Sequence, residues 1–197
     1  MMNLWKIQKA NHMASFDKTG LHLRVEQGVN PEVRRSCLSF SKWLREQYVF
    51  PVRVIIYIKK SYYISAQNGE NVYGTCWRPF DKSKSPYIRI STGDYDELVV
   101  SKGQDNALAT ILFCIAMMLT HYYQWLNDIN GLTEEEEERQ AEKYAKKNTF
   151  FVFSDKRSSI TIRDTETTLL TVLLRHPKRQ HHTDHRCRRC NPISISL

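Results

Sequence analysis

Leu21, Leu23 and Val25 alternate with His22, Arg24 and Glu26, the period of a half-buried strand. Asn30 and Pro31 then supply an N-cap and a proline at the first helical position. Val33, Cys37, Phe40, Leu44 and Tyr48 recur at helical spacing, which predicts an amphipathic helix that Pro51 ends. Residues 52–58 are β-branched and apolar on both faces, and predict a well-covered strand. Between residues 65 and 85 the chain is rich in Gly, Asn, Lys and Ser, with a short strand predicted over 72–77. Tyr87, Ile88, Arg89, Ile90 and Ser91 form another strand. Because Pro86 leads it and cannot donate to a ladder, this strand is predicted at the sheet edge.

Asp105 is the expected N-cap of a long helix running to about residue 127, with Asn130-Gly131 as its stop. Leu108, Ile111, Ile115, Leu119, Tyr122 and Leu126 keep helical spacing, and the first half is apolar nearly all round. Such a helix belongs in the centre of a domain. A second helix is predicted from Thr133, where Thr133 and Glu136 form a capping box and glutamates 134–138 crowd the positive end of the dipole. The connection is so short that the two helices must form an antiparallel hairpin. Beyond Asn148 the pattern loosens. Residues 150–153 and 160–163 are read as strands, and 169–174 as a strand or short helix.

With 197 residues the chain suffices for one domain with a sizeable core, and its 41% apolar and 25% charged content is that of a globular protein. The apolar run 107–119 is interrupted by Thr110 and is shorter than the roughly 20 residues a bilayer span needs, so no membrane role is expected. Five cysteines, an odd number, argue against a disulfide framework and for a reducing, cytoplasmic setting. The net charge is +8, but residues 176–197 hold five Lys/Arg against one Asp, so half of it lies in a basic tail. The body carries an ordinary balance, and a nucleic-acid partner is expected only through that tail.

The chemistry concentrates in the long helix, at Ala116-Met117-Met118-Leu119-Thr120-His121-Tyr122-Tyr123-Gln124-Trp125. This segment resembles the small bacterial zincin metallopeptidases, SprT-like and ImmA-like, whose helix reads A-H-E-L-T-H-Y-Y-Q-W. Glu138-Arg139-Gln140-Ala141 and Tyr144-Ala145 are similar to the E-R-x-A-x-x-[YF]-A segment of the same family. The strand led by Pro86 also stands where that family places the strand lining its substrate cleft. The resemblance spans roughly residues 50–148. It implies an α+β fold, a small mixed sheet from residues 20–92 packed on a helix hairpin at 104–148. It implies zinc as the family's cofactor, with His121 as second histidine ligand and Glu138 as the ligand from the second helix. A peptide would lie along Tyr87, Ile88, Arg89 and Ile90.

The family chemistry needs two histidines at i and i+4 to hold zinc, and a glutamate after the first to take a proton from the metal-bound water. Met117 stands at the first-ligand position and Met118 at the general-base position. A thioether suits Cu(I) far better than Zn(II), and a methionine accepts no proton. Losing a general base alone costs roughly 10²- to 10⁴-fold in rate. The expectation is therefore a non-hydrolytic pseudoenzyme that holds zinc weakly or not at all. If this helix face lines a cleft, Met117→His and Met118→Glu should both be tolerated.

Two further ligand groupings are present. Cys114, Met117, Met118 and His121 include two i, i+4 pairs that offer soft donors, although such residues are usually core filler. His181, His182, His185, Cys187 and Cys190 contain enough ligands for a metal but lack the second pair of a zinc knuckle. A disordered basic tail is the expectation there. The chain thus divides into a zincin-like domain at 1–148, an extension at 149–175 and the tail at 176–197. The rival reading is a basic module that binds nucleic acid or another polyanion through that tail.

Overall fold

The computed structural model describes residues 4–5, 20–129 and 131–155. The regions 160–163 and 169–174 and the whole tail, with Cys187, Cys190 and their neighbouring histidines, lie outside these residues.

The fold is α+β. Strand β1 (Leu21–Val25) leads into helix α1 (Pro31–Gln47), which returns the chain to β2 (Val54–Lys59). Two short strands, β3 (Ile64–Ser65) and β4 (Asn71–Val72), pair as a separate antiparallel ribbon. Strand β5 (Gly74–Trp77), strand β6 (Tyr87–Ser91) and helices α2 (Tyr95–Lys102), α3 (Gln104–Leu126) and α4 (Glu134–Asp155) complete the described chain. The main sheet has the order β1-β2-β6-β5. β1, β2 and β6 run parallel, and β5 pairs antiparallel to β6 with Gly74 opposite Ile90 and Trp77 opposite Tyr87.

The elements form for the reasons the pattern suggests. At the start of α1, Asn30 Oδ1 accepts from Glu32 N at 2.9 Å, and Pro31 lacks the N–H that would otherwise be orphaned. Val33, Cys37, Phe40 and Leu44 of α1 are fully buried, and each large side chain among them contributes roughly 1.5–3 kcal/mol. Val54, Ile56 and Ile58 of β2 and Ile88 and Ile90 of β6 show no exposure, so one sheet face meets the helices.

β6 lies inside the sheet, between β2 and β5, so its predicted edge position is corrected. Pro86 precedes the strand, and its carbonyl accepts from Ile55 N, so its missing N–H removes no ladder bond from the interior. The edge beside β6 is β5, a strand too short for periodicity to place.

Helix α2 has no counterpart in the sequence reading. Only Tyr95 is buried on it, so it has no apolar stripe, and Gly103 ends it at φ +80°. Gly103 is also the N-cap of α3, two residues before the expected Asp105, which is left exposed in the first turn. The hairpin of α3 and α4 is present. Thr133 N donates to Glu136 Oε2 at 2.8 Å and Glu136 N to Thr133 Oγ1 at 3.3 Å, both arms of the capping box. Ala141 and Ala145, one turn apart, have no exposure and let α4 close on α3. α4 continues across residue 148 to Asp155, so residues 150–153 are helical, not a strand. The helix thereby crosses the domain boundary expected at 148.

α3 is the axis of the core. It is long and apolar enough to cross a membrane, but 83% of its most apolar window is buried within the chain. Polar groups at its C-terminal half tie it to three neighbours. Tyr122 Oη donates to Val52 O at 2.8 Å and Tyr123 Oη to Val49 O at 3.0 Å, on the approach to β2. Trp125 Nε1 donates to Pro79 O at 2.7 Å, after β5. Gln124 reaches α4. Trp5, 1% exposed, packs on Tyr48 and Tyr123 and donates to Thr120 Oγ1 at 3.3 Å.

Candidate functional site

His121 projects from α3 toward α4 and is 1% exposed. Its Nδ1 lies 2.7 Å from Gln124 Oε1, three residues on. Gln124 is oriented by α4, because its Nε2 donates to Glu137 O at 3.0 Å and to Gln140 Oε1 at 2.9 Å. Its oxygen must therefore face the imidazole, and Nδ1 must carry the proton of that bond. When the ring is neutral, its lone pair then falls on Nε2. This nitrogen is buried, makes no hydrogen bond among the described residues, and stands 3.5 Å from Glu138 Oε1.

That arrangement is the one found around a metal-bound histidine, where an outer partner fixes one ring nitrogen and frees the other. Two ligands each at about 2.0–2.1 Å from a tetrahedral zinc stand roughly 3.3 Å apart. The observed separation of 3.5 Å is close to that value. Glu138 is one-quarter exposed at its side chain, so the pair sits at the margin of the core. Beside it, Arg78 Nη1 and Nη2 each lie 3.3 Å from Glu137 Oε2, joining the end of β5 to α4.

The donor set is nevertheless one short. Catalytic zinc takes three protein ligands, and among the described residues no group of three or more His, Cys, Asp or Glu is placed to hold a metal. Met117, one turn before His121, is 5% exposed and supplies only a thioether. The residues present do not fit a catalytic zinc site. Met118 has no exposure at all. The face expected to line a cleft is buried at both methionines, so the expected tolerance of a glutamate at 118 is not supported.

Cys114 and Met118 turn toward β5. A Cβ built on Gly74 would stand 2.8 Å from Cys114 Sγ and 3.4 Å from Met118 Cγ. The soft side chains are therefore split, with Cys114 and Met118 packed on the sheet and His121 facing α4. Burial pushes the Cys37 and Cys76 thiols up to about 12, which keeps both protonated and unreactive near neutrality.

His121 and Glu138 are brought together, whereas Tyr87, Ile88, Arg89 and Ile90 lie in the sheet interior. Gln124 was missed by sequence reasoning: its position three residues after His121 puts it within reach on the helix, but does not say which end of its amide faces the ring. β5 was missed as the edge. Its signal was Gly74, a glycine inside a strand pattern, which often marks close backbone approach.

Comparison of the chain with protein-family models, with curated proteins and with solved structures returned no match.

Proposed function

We propose that this chain is a zincin-type metallopeptidase relic, non-hydrolytic, in which the ligand pair His121 and Glu138 persists while the first ligand and the general base have been replaced. The observation that carries this reading is the orphaned His121 Nε2, set by Gln124 and aimed at Glu138 Oε1 3.5 Å away. Most buried polar side-chain atoms have a hydrogen-bond partner, so the unpartnered ring nitrogen asks for an explanation, and a lost metal supplies one. With Met117 and Met118 in place, the site lacks a third ligand and any acceptor for a water proton, so peptide hydrolysis is not supported.

The retained activity in this reading is peptide binding. β5 is the outermost strand beside β6, runs antiparallel to it, and lies against Cys114 and Met118 of α3. An extended peptide would add to its outer side by main-chain pairing. This assignment replaces the one on Tyr87, Ile88, Arg89 and Ile90.

The test is metal content of the purified chain beside Met117→His, which restores a third ligand without burying a charge. Wild type should retain less than about 0.1 zinc per chain, and Met117→His about one. Stoichiometric zinc and peptide cleavage in wild type would overturn the pseudoenzyme reading. A folded Met117→His variant that ignores zinc would overturn the assignment of His121 and Glu138 as relic ligands.

A further inference from the structure

Helices α1 and α3 cover one face of the main sheet. On the opposite face, pairing sets Arg24, Tyr57 and Arg89 in one row across β1, β2 and β6. The next row carries His22, Ile55, Tyr87 and Trp77 on β1, β2, β6 and β5. Parallel strands normally have both faces covered. Here Arg24 and His22 are exposed, and Tyr57, Tyr87, Trp77 and Arg89 are only partly buried.

In the first row a ring lies between two cations, and in the second two rings lie side by side. The Arg24 guanidinium lies 5.9 Å from the centre of the Tyr57 ring, and that of Arg89 lies 5.9 Å from the centre of Tyr87. Trp77 stacks on Tyr87 with ring centres 5.2 Å apart, and Tyr57 meets Tyr87 edge-on at 6.3 Å. Neither row contains a carboxylate. The nearest on β1's continuation, Glu26, is paired with Lys59 at 3.3 Å. A solvated sheet face would carry short polar residues with both signs of charge. This one offers three flat aromatic rings with two arginine guanidinium groups beside them.

From this juxtaposition we infer that the open sheet face binds single-stranded nucleic acid. Bases stack on Tyr57, Tyr87 and Trp77, and phosphates meet Arg24 and Arg89. A duplex hides its base faces, and a sulfated polysaccharide has none, so each satisfies only the cations. Residues 176–197, with five Lys/Arg against one Asp, are repelled by such a face and attracted to the same polyanion.

The test measures the full chain binding a labelled single-stranded oligonucleotide by fluorescence anisotropy, with heparin and a duplex of equal length as comparators. Wild type should bind the single strand more tightly than the duplex and lose affinity at least about tenfold between about 50 and 200 mM salt. Arg24→Glu, at an exposed position, should weaken oligonucleotide and heparin alike. Trp77→Leu and Tyr57→Leu should each weaken the oligonucleotide about fivefold or more while leaving heparin unchanged. Circular dichroism establishes that each variant is folded. The inference is overturned if wild type does not bind at low salt, or if the leucine variants reduce heparin and oligonucleotide binding equally. It is also overturned if only Arg186, Arg188 and Arg189→Gln weakens binding, since the tail alone would then hold the polyanion.

Discussion

His121 Nε2 and Glu138 Oε1 stand 3.5 Å apart across the α3–α4 hairpin, with the other ring nitrogen committed to Gln124 at 2.7 Å. A lone pair and a carboxylate oxygen at that distance repel unless something positive lies between them. Glu138→Gln replaces one acceptor by an amide that can donate to Nε2. In the absence of metal it should therefore be neutral or stabilise the fold by up to about 1 kcal/mol. His121→Ala should cost about 2–3 kcal/mol, because it leaves a cavity and strands the buried Gln124 Oε1. Urea denaturation of both variants in chelator decides this. A loss above about 1 kcal/mol for Glu138→Gln would show the pair to be held by ionic attraction, not waiting for a cation.

Met118 gives a second, sharper expectation. It is fully buried and touches the space beside Gly74. Met118→Glu places a carboxylate there without a partner, and should destabilise the protein by about 3 kcal/mol or more in chelator. In combination with Met117→His, zinc should recover part of that loss, because binding to the folded state alone shifts the equilibrium toward it. The measurement is the denaturation midpoint of single and double variants with and without zinc. Full stability of Met118→Glu in chelator would mean that this face opens to water, as the resemblance to zincins implied.

The contrast between the two methionines and the histidine shows what a sequence can convey. The i, i+4 stripe on α1, the capping box at Thr133 and the hairpin were legible because each depends on nearby residues. Glu138 facing His121 was legible too, since two long helices with a short connection leave little freedom. The place of β6 was not, because a leading proline is compatible with an edge or with the first position of a central strand, and only pairing distinguishes them. The short strand predicted over 72–77 does contain β5, but its four residues have too little alternation to place it at the edge. The eight residues of α2 carry no apolar stripe, so that helix rests on tertiary packing. Gln124 was hidden for another reason. Its role depends on Glu137 and Gln140 turning its amide, a relation between helices.

Gly74 ties the edge strand to the central helix. A methyl group there would lie 2.8 Å from Cys114 Sγ and 3.1 Å from Ile90 Cδ1, closer than packed carbon and sulfur tolerate. Gly74→Ala should therefore destabilise by about 1–3 kcal/mol. Cys114→Ala removes the nearest atom, so the double variant should be less destabilised than the sum of the singles, with a coupling of about 0.5 kcal/mol or more. Additive losses would indicate that β5 shifts outward instead of pressing on α3, and peptide addition at its edge would then lack a fixed template.

The last expectation concerns alkaline pH and reads the same strand. Burial raises the Cys37 and Cys76 thiols to about 12 from an ordinary 9.0, and raises the Tyr122 and Tyr123 hydroxyls as well. Groups whose folded values are raised hold protons that the unfolded chain has already released. Their contribution is complete below the ordinary value and is lost as pH rises through the folded one. For the two cysteines, stability should fall between about pH 9 and 12, by about 1.4 kcal/mol per pH unit for each group past its ordinary value. Urea midpoints measured from pH 8 upward test the slope. At pH 8, iodoacetamide followed by peptide mapping should leave Cys37 and Cys76 unmodified in the folded protein and label both in urea. Rapid labelling of Cys76 with Cys37 still protected would carry a specific meaning. It would show that β5 opens locally at low cost while the α1 side of the core stays closed. The strand assigned to receive a peptide would then be an element that exchanges in and out of the sheet, and peptide affinity would fall by the fraction of time it is away.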